Sequence, residues 1–200
     1  MSLVNTLKYY GRGVVLPVDA MKDIVRQTLK RNSVDYVTDF GAGTLFWSKW
    51  FADELGLTVS AVDTAYLDNV PKNYNQYISI QTDIIEALET RKAMKRKNAI
   101  FVCDVVHHLP PEFWCSALTL ITELMDVVII KDIDANRKLG NFCNRMHGRI
   151  INGEKIHYVY PSEIEEHLTK VGFTTEIKIL SKLWYPHFNN GGQEQWLINF

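Results

Sequence analysis

Apolar residues recur along this chain in two rhythms. Runs at Tyr36 to Phe40, Thr58 to Val62, Tyr77 to Ile80, Ala99 to Cys103 and Val127 to Ile130 are short, β-prone and bounded by turn signals. The run from Val127 to Ile130 is wholly apolar, the pattern of a strand covered on both faces. Between the runs the spacing turns helical. Met21, Ile24, Val25, Thr28 and Leu29 share one face behind a candidate N-cap at Asp19, and Leu45 to Leu55, Ile84 to about Lys95 and Glu112 to Met125 continue the alternation. Strand and helix in regular succession predict an α/β fold with a mostly parallel sheet and helices on both faces.

The last quarter breaks the rhythm. Ser162 with Glu165 three residues on reads as a capping box, and Val171-Gly172-Phe173 ends that helix. Thr174 to Leu180 and Gln195 to Asn199 then read as two strands joined by a polar Asn189-Asn190-Gly191-Gly192 turn, with no helix between.

Two hundred residues with 46% hydrophobic content predict one domain, residues 1–200, with a full core. The net charge of −1 gives no signal for nucleic acid or a membrane surface. Cys103, Cys115 and Cys143 have no metal-ligand spacing, and their odd number argues against a disulfide framework, so a cytoplasmic setting is the simplest expectation. The residues give no metal expectation from cysteine or histidine pairs.

Chemistry enters at Tyr36 to Asp63, which reads strand, glycine turn, helix, strand, acid. Asp39-Phe40-Gly41-Ala42-Gly43-Thr44 forms the turn. Its two glycines would let backbone approach a ligand, and Asp63 stands about 20 residues on, where such units place a carboxylate on a ribose diol. A nucleotide or nucleoside site is predicted. Phe46 occupies the position of the third dinucleotide glycine and there is no phosphate-loop lysine, so a pyrophosphate cofactor fits poorly.

These residues resemble motif I of the class I S-adenosylmethionine-dependent methyltransferases. The resemblance extends to Asp63 after the second strand, to Asp83 after the third at the adenine position, and to Asp104-Val105-Val106-His107-His108-Leu109-Pro110-Pro111 after the fourth. It implies a single Rossmann-like domain with a seven-stranded sheet whose last strand is antiparallel. The cofactor it implies is S-adenosylmethionine, held by Asp39, Phe40, Gly41, Ala42, Gly43, Asp63, Thr64, Asp83, Ile84 and Cys103. Asp83 suits an N-cap equally well. One departure is Leu45, where many members carry glycine. An N-terminal helical segment, about 4–30, would lie over the cofactor in such a fold, with Tyr9, Tyr10 and Arg12 either contacts or plain surface groups.

Methyl transfer to oxygen or nitrogen needs positioning, and a base where the acceptor must lose a proton. His108 is the first candidate, with Asp132, Asp134 and His147 behind it. Segment 135–158 carries Arg137, Lys138, Arg145, Arg149 and Lys155 against Glu154 alone, and reads as an inserted cap. Its arginines Arg137, Arg145 and Arg149 suit a small anionic acceptor, while a solvated basic face explains them as simply. The rival readings are a non-catalytic cofactor-binding regulatory module, a nicotinamide oxidoreductase disfavoured by Phe46, and a metal-dependent glycosyltransferase using Asp132 and Asp134. Acceptor identity and oligomeric state stay open.

Overall fold

The protein is seen here in a computed structural model, which describes residues 18–63, 78–81, 83–85, 87, 96–133, 157, 159–174, 176–182 and 194–199. Five strands, β1 (Tyr36–Phe40), β2 (Thr58–Val62), β3 (Ile78–Gln81), β4 (Asn98–Cys103) and β5 (Val127–Ile133), pair in parallel in the order β3-β2-β1-β4-β5. Beyond β5 lie the backbones of β6 (Glu176–Lys182) and β7 (Glu194–Asn199), with β7 antiparallel to both β5 and β6. Around them lie helices α1 (Val18–Arg31), α2 (Phe46–Leu55), α3 (Pro111–Leu124) and α4 (Pro161–Lys170) and a 3-10 turn, Val106–His108.

The period of two along each strand sorts the core into two layers. Val37, Val59, Ala61, Ala99, Phe101, Val127 and Ile129 face α1 and α2, meeting Met21, Val25, Trp50 and Phe51. Ile100, Val102, Val128 and Ile130 face the other way, against Trp114, Leu118 and Ile121 of α3 and Ile164 and Leu168 of α4. Both faces are covered, and β4 from Ala99 and β5 up to Ile130 are accordingly apolar throughout, whereas β1 buries Thr38 and Asp39. Each such aliphatic side chain contributes about 1.5–3 kcal/mol on burial.

Three local expectations are corrected. Asp19 lies inside the first turn of α1 rather than ahead of it, where its charge still complements the helix N-terminus. Ser162 is likewise within α4, which starts at Pro161; the reciprocal cap is made by Tyr160 and Glu163, whose carboxylate accepts the Tyr160 N–H at 3.3 Å. Proline at the first helical position has no N–H to leave unsatisfied, and the start falls two residues earlier than a Ser162 cap would give. Finally, β5 runs on through Lys131 and Asp132 to Ile133 instead of stopping at Ile130, because both charged residues find partners across the sheet end. The segments 4–17 and 135–156 and the Asn189 to Gly192 turn lie outside the described residues.

Candidate functional site

The chain leaves β1 toward β2 on one side and returns through β4 on the other, so the carboxyl ends of β1 and β4 flank the point where the strand order reverses. Open α/β sheets bind ligands there. At the end of β1 the turn is tied to β2 by two backbone bonds, from Gly41 N–H and Ala42 N–H to the Val62 carbonyl at 2.8 and 3.1 Å. A third joins turn to acid: Gly43 N–H donates to Asp63 Oδ2 at 2.8 Å. The carboxylate after β2 is thereby aimed back into the glycine turn.

The two glycines serve different ends. Gly41 has φ +77°, and a methyl group on it would overlap Val105 Cγ2, so packing against the β4 loop demands its absence. Gly43, at φ +51°, would place a Cβ no closer than 3.9 Å to any neighbour, which leaves its surroundings open for a ligand. Leu45 also adopts the left-handed conformation, φ 62°, at the helix N-cap, yet its side chain is only 1% exposed. A leucine there is strained by roughly 1–2 kcal/mol, and the burial of its side chain outweighs that.

Asp39 sits beneath the turn with 2% exposure, its Oδ2 accepting from Ser48 Oγ at 2.5 Å. Burial pushes its carboxyl up to about 7, against the opposing Ser48 hydrogen bonds and with a further push from the Asp63 charge.

The ends of β4 and β5 carry two ion pairs. Lys131 is fully buried and its Nζ lies 2.5 Å from Asp104 Oδ1; Asp104 itself is left-handed at φ 57°. Burial pulls the ammonium pKa down, but the charge and hydrogen bond of Asp104 outweigh it and hold the Lys131 pKa above its ordinary value. Cys103 is partly exposed as a residue, while burial of its sulfur beside the Asp104 carboxylate pushes the thiol well up. The second pair joins His107 Nδ1 to Asp132 Oδ1 at 2.5 Å, and His107 N–H also donates to Asp132 Oδ2 at 3.3 Å. Burial pulls the imidazole pKa down, and the Asp132 charge and hydrogen bond overturn that and raise it. The His107 carbonyl accepts the His157 N–H at 2.7 Å. His108 is exposed, its ring centroid 4.1 Å from that of His107.

Asp83 behaves as an N-cap, its Oδ1 accepting the Ile85 N–H at 2.8 Å where helical backbone begins at Ile84. Ile84 and Ile85 line an apolar hollow with Phe40, Phe113, Leu120 and Ile121.

Asp39, Gly41, Ala42, Gly43, Asp63, Cys103 and Asp132 thus belong to the carboxyl ends of β1, β2, β4 and β5 and the turns that follow them, and Phe40 and Ile84 border the apolar hollow beside α3. Thr64, Asp134, Arg137, Arg145, His147 and Arg149 lie outside the described residues. Sequence reasoning overlooked His107, Lys131, Ser48 and Val105. Lys131 had a signal, a lone cation at the end of an apolar run; His107 was hidden by its neighbour of the same type. Among the described residues no cluster of histidine, cysteine or acid has the makings of a metal site, and no helix is long and apolar enough to cross a membrane.

No protein-family profile and no curated protein matches the chain. Solved structures do match in fold. A SAM dependent methyltransferase from Archaeoglobus fulgidus superposes with a TM-score of 0.66 at 18% identity, covering 88% of this chain and 92% of that one. The Burkholderia thailandensis 1,6-didemethyltoxoflavin-N1-methyltransferase, solved with 1,6-didemethyltoxoflavin and S-adenosylhomocysteine bound, gives 0.64 at 15% identity over 98% and 84%. The methyltransferase domain of bacterial CtHen1 gives 0.63 at 16% identity over 90% and 97%.

Proposed function

We propose, starting from the class I S-adenosylmethionine-dependent methyltransferase fold that this chain has, that it binds S-adenosylmethionine and methylates oxygen or nitrogen of a small molecule. The observation that carries the reading is the 2.8 Å bond from Gly43 N–H to Asp63 Oδ2, which brings the acid after β2 and the open glycine of the turn to one spot. The donor set fits the cofactor: a carboxylate for a ribose diol, an uncrowded glycine, and acids around a crevice that would take a sulfonium cation. Asp39 to Gly43 with Asp63 and Thr64 would hold the nucleoside and amino-acid parts, Asp83 and Ile84 the adenine, and Cys103 the neighbouring wall. When bound, the cofactor supplies a methyl group activated on a positively charged sulfur. Asp83 can cap the helix and still turn a carboxylate oxygen to an amino group.

The finer reading takes β6 and β7 as the closing pair of a seven-stranded sheet, supported by their backbone register, and residues 1–200 as one domain with a leading segment and a cap. It takes the acceptor as anionic, met by Arg137, Arg145 and Arg149, on the local excess of basic residues in 135–158. A cytoplasmic location belongs to the same reading. Calorimetric titration with S-adenosylmethionine and with NAD tests the cofactor, and S-adenosylhomocysteine release across a panel of anionic metabolites tests the acceptor. Binding of NAD alone would overturn the assignment. Binding of S-adenosylmethionine without turnover on any acceptor would favour the regulatory module.

A further inference from the structure

A buried pair, His107 with Asp132, joins the turn after β4 to the end of β5. Asp132 is 2% exposed and His107 7%, and both can carry charge. Replacing a buried ion pair by apolar groups is often neutral or favourable for stability, so packing gives no reason for this one. Its geometry has a chemical reading. A carboxylate on Nδ1 fixes the imidazole tautomer and ring direction and stabilises the imidazolium, leaving Nε2 to take a proton.

We propose that His107, held by Asp132, is the proton acceptor of the methyl-transfer reaction, with Asp132 as its positioning residue. The inference rests on the function proposed above, and assigns to His107 the role the sequence pointed toward at His108. His107 Nε2 takes the proton from the acceptor O–H or N–H as the acceptor lone pair bonds to the methyl carbon. The carbon–sulfur bond breaks with its electron pair remaining on sulfur, and the proton then leaves His107 for solvent.

Charge explains the timing. Among the described residues, the groups facing the imidazole are Asp132, Asp104, Lys131 and the His108 ring, and the His157 N–H meets the His107 carbonyl. The acids favour the imidazolium. A sulfonium nearby would oppose that charge and favour the neutral imidazole, the form that can take a proton.

The test follows the His107 imidazole by NMR titration of the histidine-labelled full chain, with His107→Gln identifying its signal, alone and saturated with S-adenosylmethionine or S-adenosylhomocysteine. The two nucleosides differ at sulfur by one methyl and one positive charge. The expected result is a titration lowered by roughly one to two pH units with S-adenosylmethionine and little moved by S-adenosylhomocysteine, with Asp132→Asn lowering it in the free protein. If calorimetry detects binding of neither nucleoside, the cofactor reading fails and this inference with it. If both bind and His107 responds to neither, or equally to both, the cofactor reading stands and the pair is only a brace between β4 and β5. Should Asp132→Asn not fold, the comparison of the two nucleosides on the unaltered chain still decides.

Discussion

Val105 occupies the space that a side chain at residue 41 would need. The contact joins the turn after β1 to the turn after β4 across the reversal of strand order, so Gly41 and Val105 together set how closely the two turns approach. Gly41→Ala adds overlap to a left-handed backbone and should destabilise the fold by about 2–5 kcal/mol. In a Val105→Ala background most of the overlap is gone and the cost should fall to about 1–2 kcal/mol. Denaturant unfolding of the four proteins of this cycle measures the coupling.

Gly43→Ala separates ligand approach from folding. The position is open, so the fold should lose only about 1 kcal/mol for its positive φ. S-adenosylmethionine affinity should fall at least tenfold if the cofactor passes over this residue. Unchanged calorimetric affinity in a folded variant would place the cofactor elsewhere.

Leu45 sets two effects against each other. Leu45→Gly relieves roughly 1–2 kcal/mol of left-handed strain and forfeits about 2–5 kcal/mol of buried leucine packing. The packing loss is larger, so the variant should be less stable, and a thermal melt checks the sign.

Asp39 makes stability depend on pH in an unusual direction. Its folded pKa, about 7, exceeds the ordinary aspartate value of 3.8, so the unfolded chain ionises first as pH rises. The contribution of this group is therefore most favourable below about pH 4, declines between 4 and 7, and is flat above. Asp39→Asn keeps an acceptor for Ser48 and removes the titration. It should stabilise the protein by an amount that grows from pH 4 to 7, to the order of 2–4 kcal/mol at pH 8. Unfolding midpoints at pH 5 and pH 8 supply the comparison; equal effects at both would show that Asp39 titrates normally.

Arg145→Ala and Arg149→Ala address the cap. If the acceptor is anionic and these arginines grip it, each should raise the Michaelis constant for that acceptor about tenfold or more, leaving S-adenosylmethionine affinity unchanged. Wild-type behaviour of both would leave 135–158 without a recognition role.

The parallel strands and the glycine turn were legible because their signals are local: an apolar run for a doubly covered strand, Gly-x-Gly before a helix, an acid after the next strand. Leu45 was legible only as a departure, since nothing local says that leucine will accept a left-handed backbone when the core takes its side chain. The ion pairs were not legible. Whether His107 or His108 turns inward depends on a short 3-10 turn, Val106–His108, and on a carboxylate 25 residues away that becomes a partner only once β4 and β5 have paired. Lys131 ended the apolar run in sequence but not the strand in space, for the same reason.

Lys131 and Asp132 are consecutive in β5, so they point to opposite faces of the sheet, and each meets its counter-charge in the loop that leaves β4. Sliding β5 by one residue against β4 would exchange the faces, carrying the ammonium to the α3 side and the carboxylate to the α1 and α2 side, with neither partner in reach. The apolar positions alone discriminate weakly against such a slip, because valine and isoleucine suit both faces. The two charges therefore act as a keyed joint: they admit one alignment of the central strands, the one that pairs Lys131 with Asp104 and Asp132 with His107.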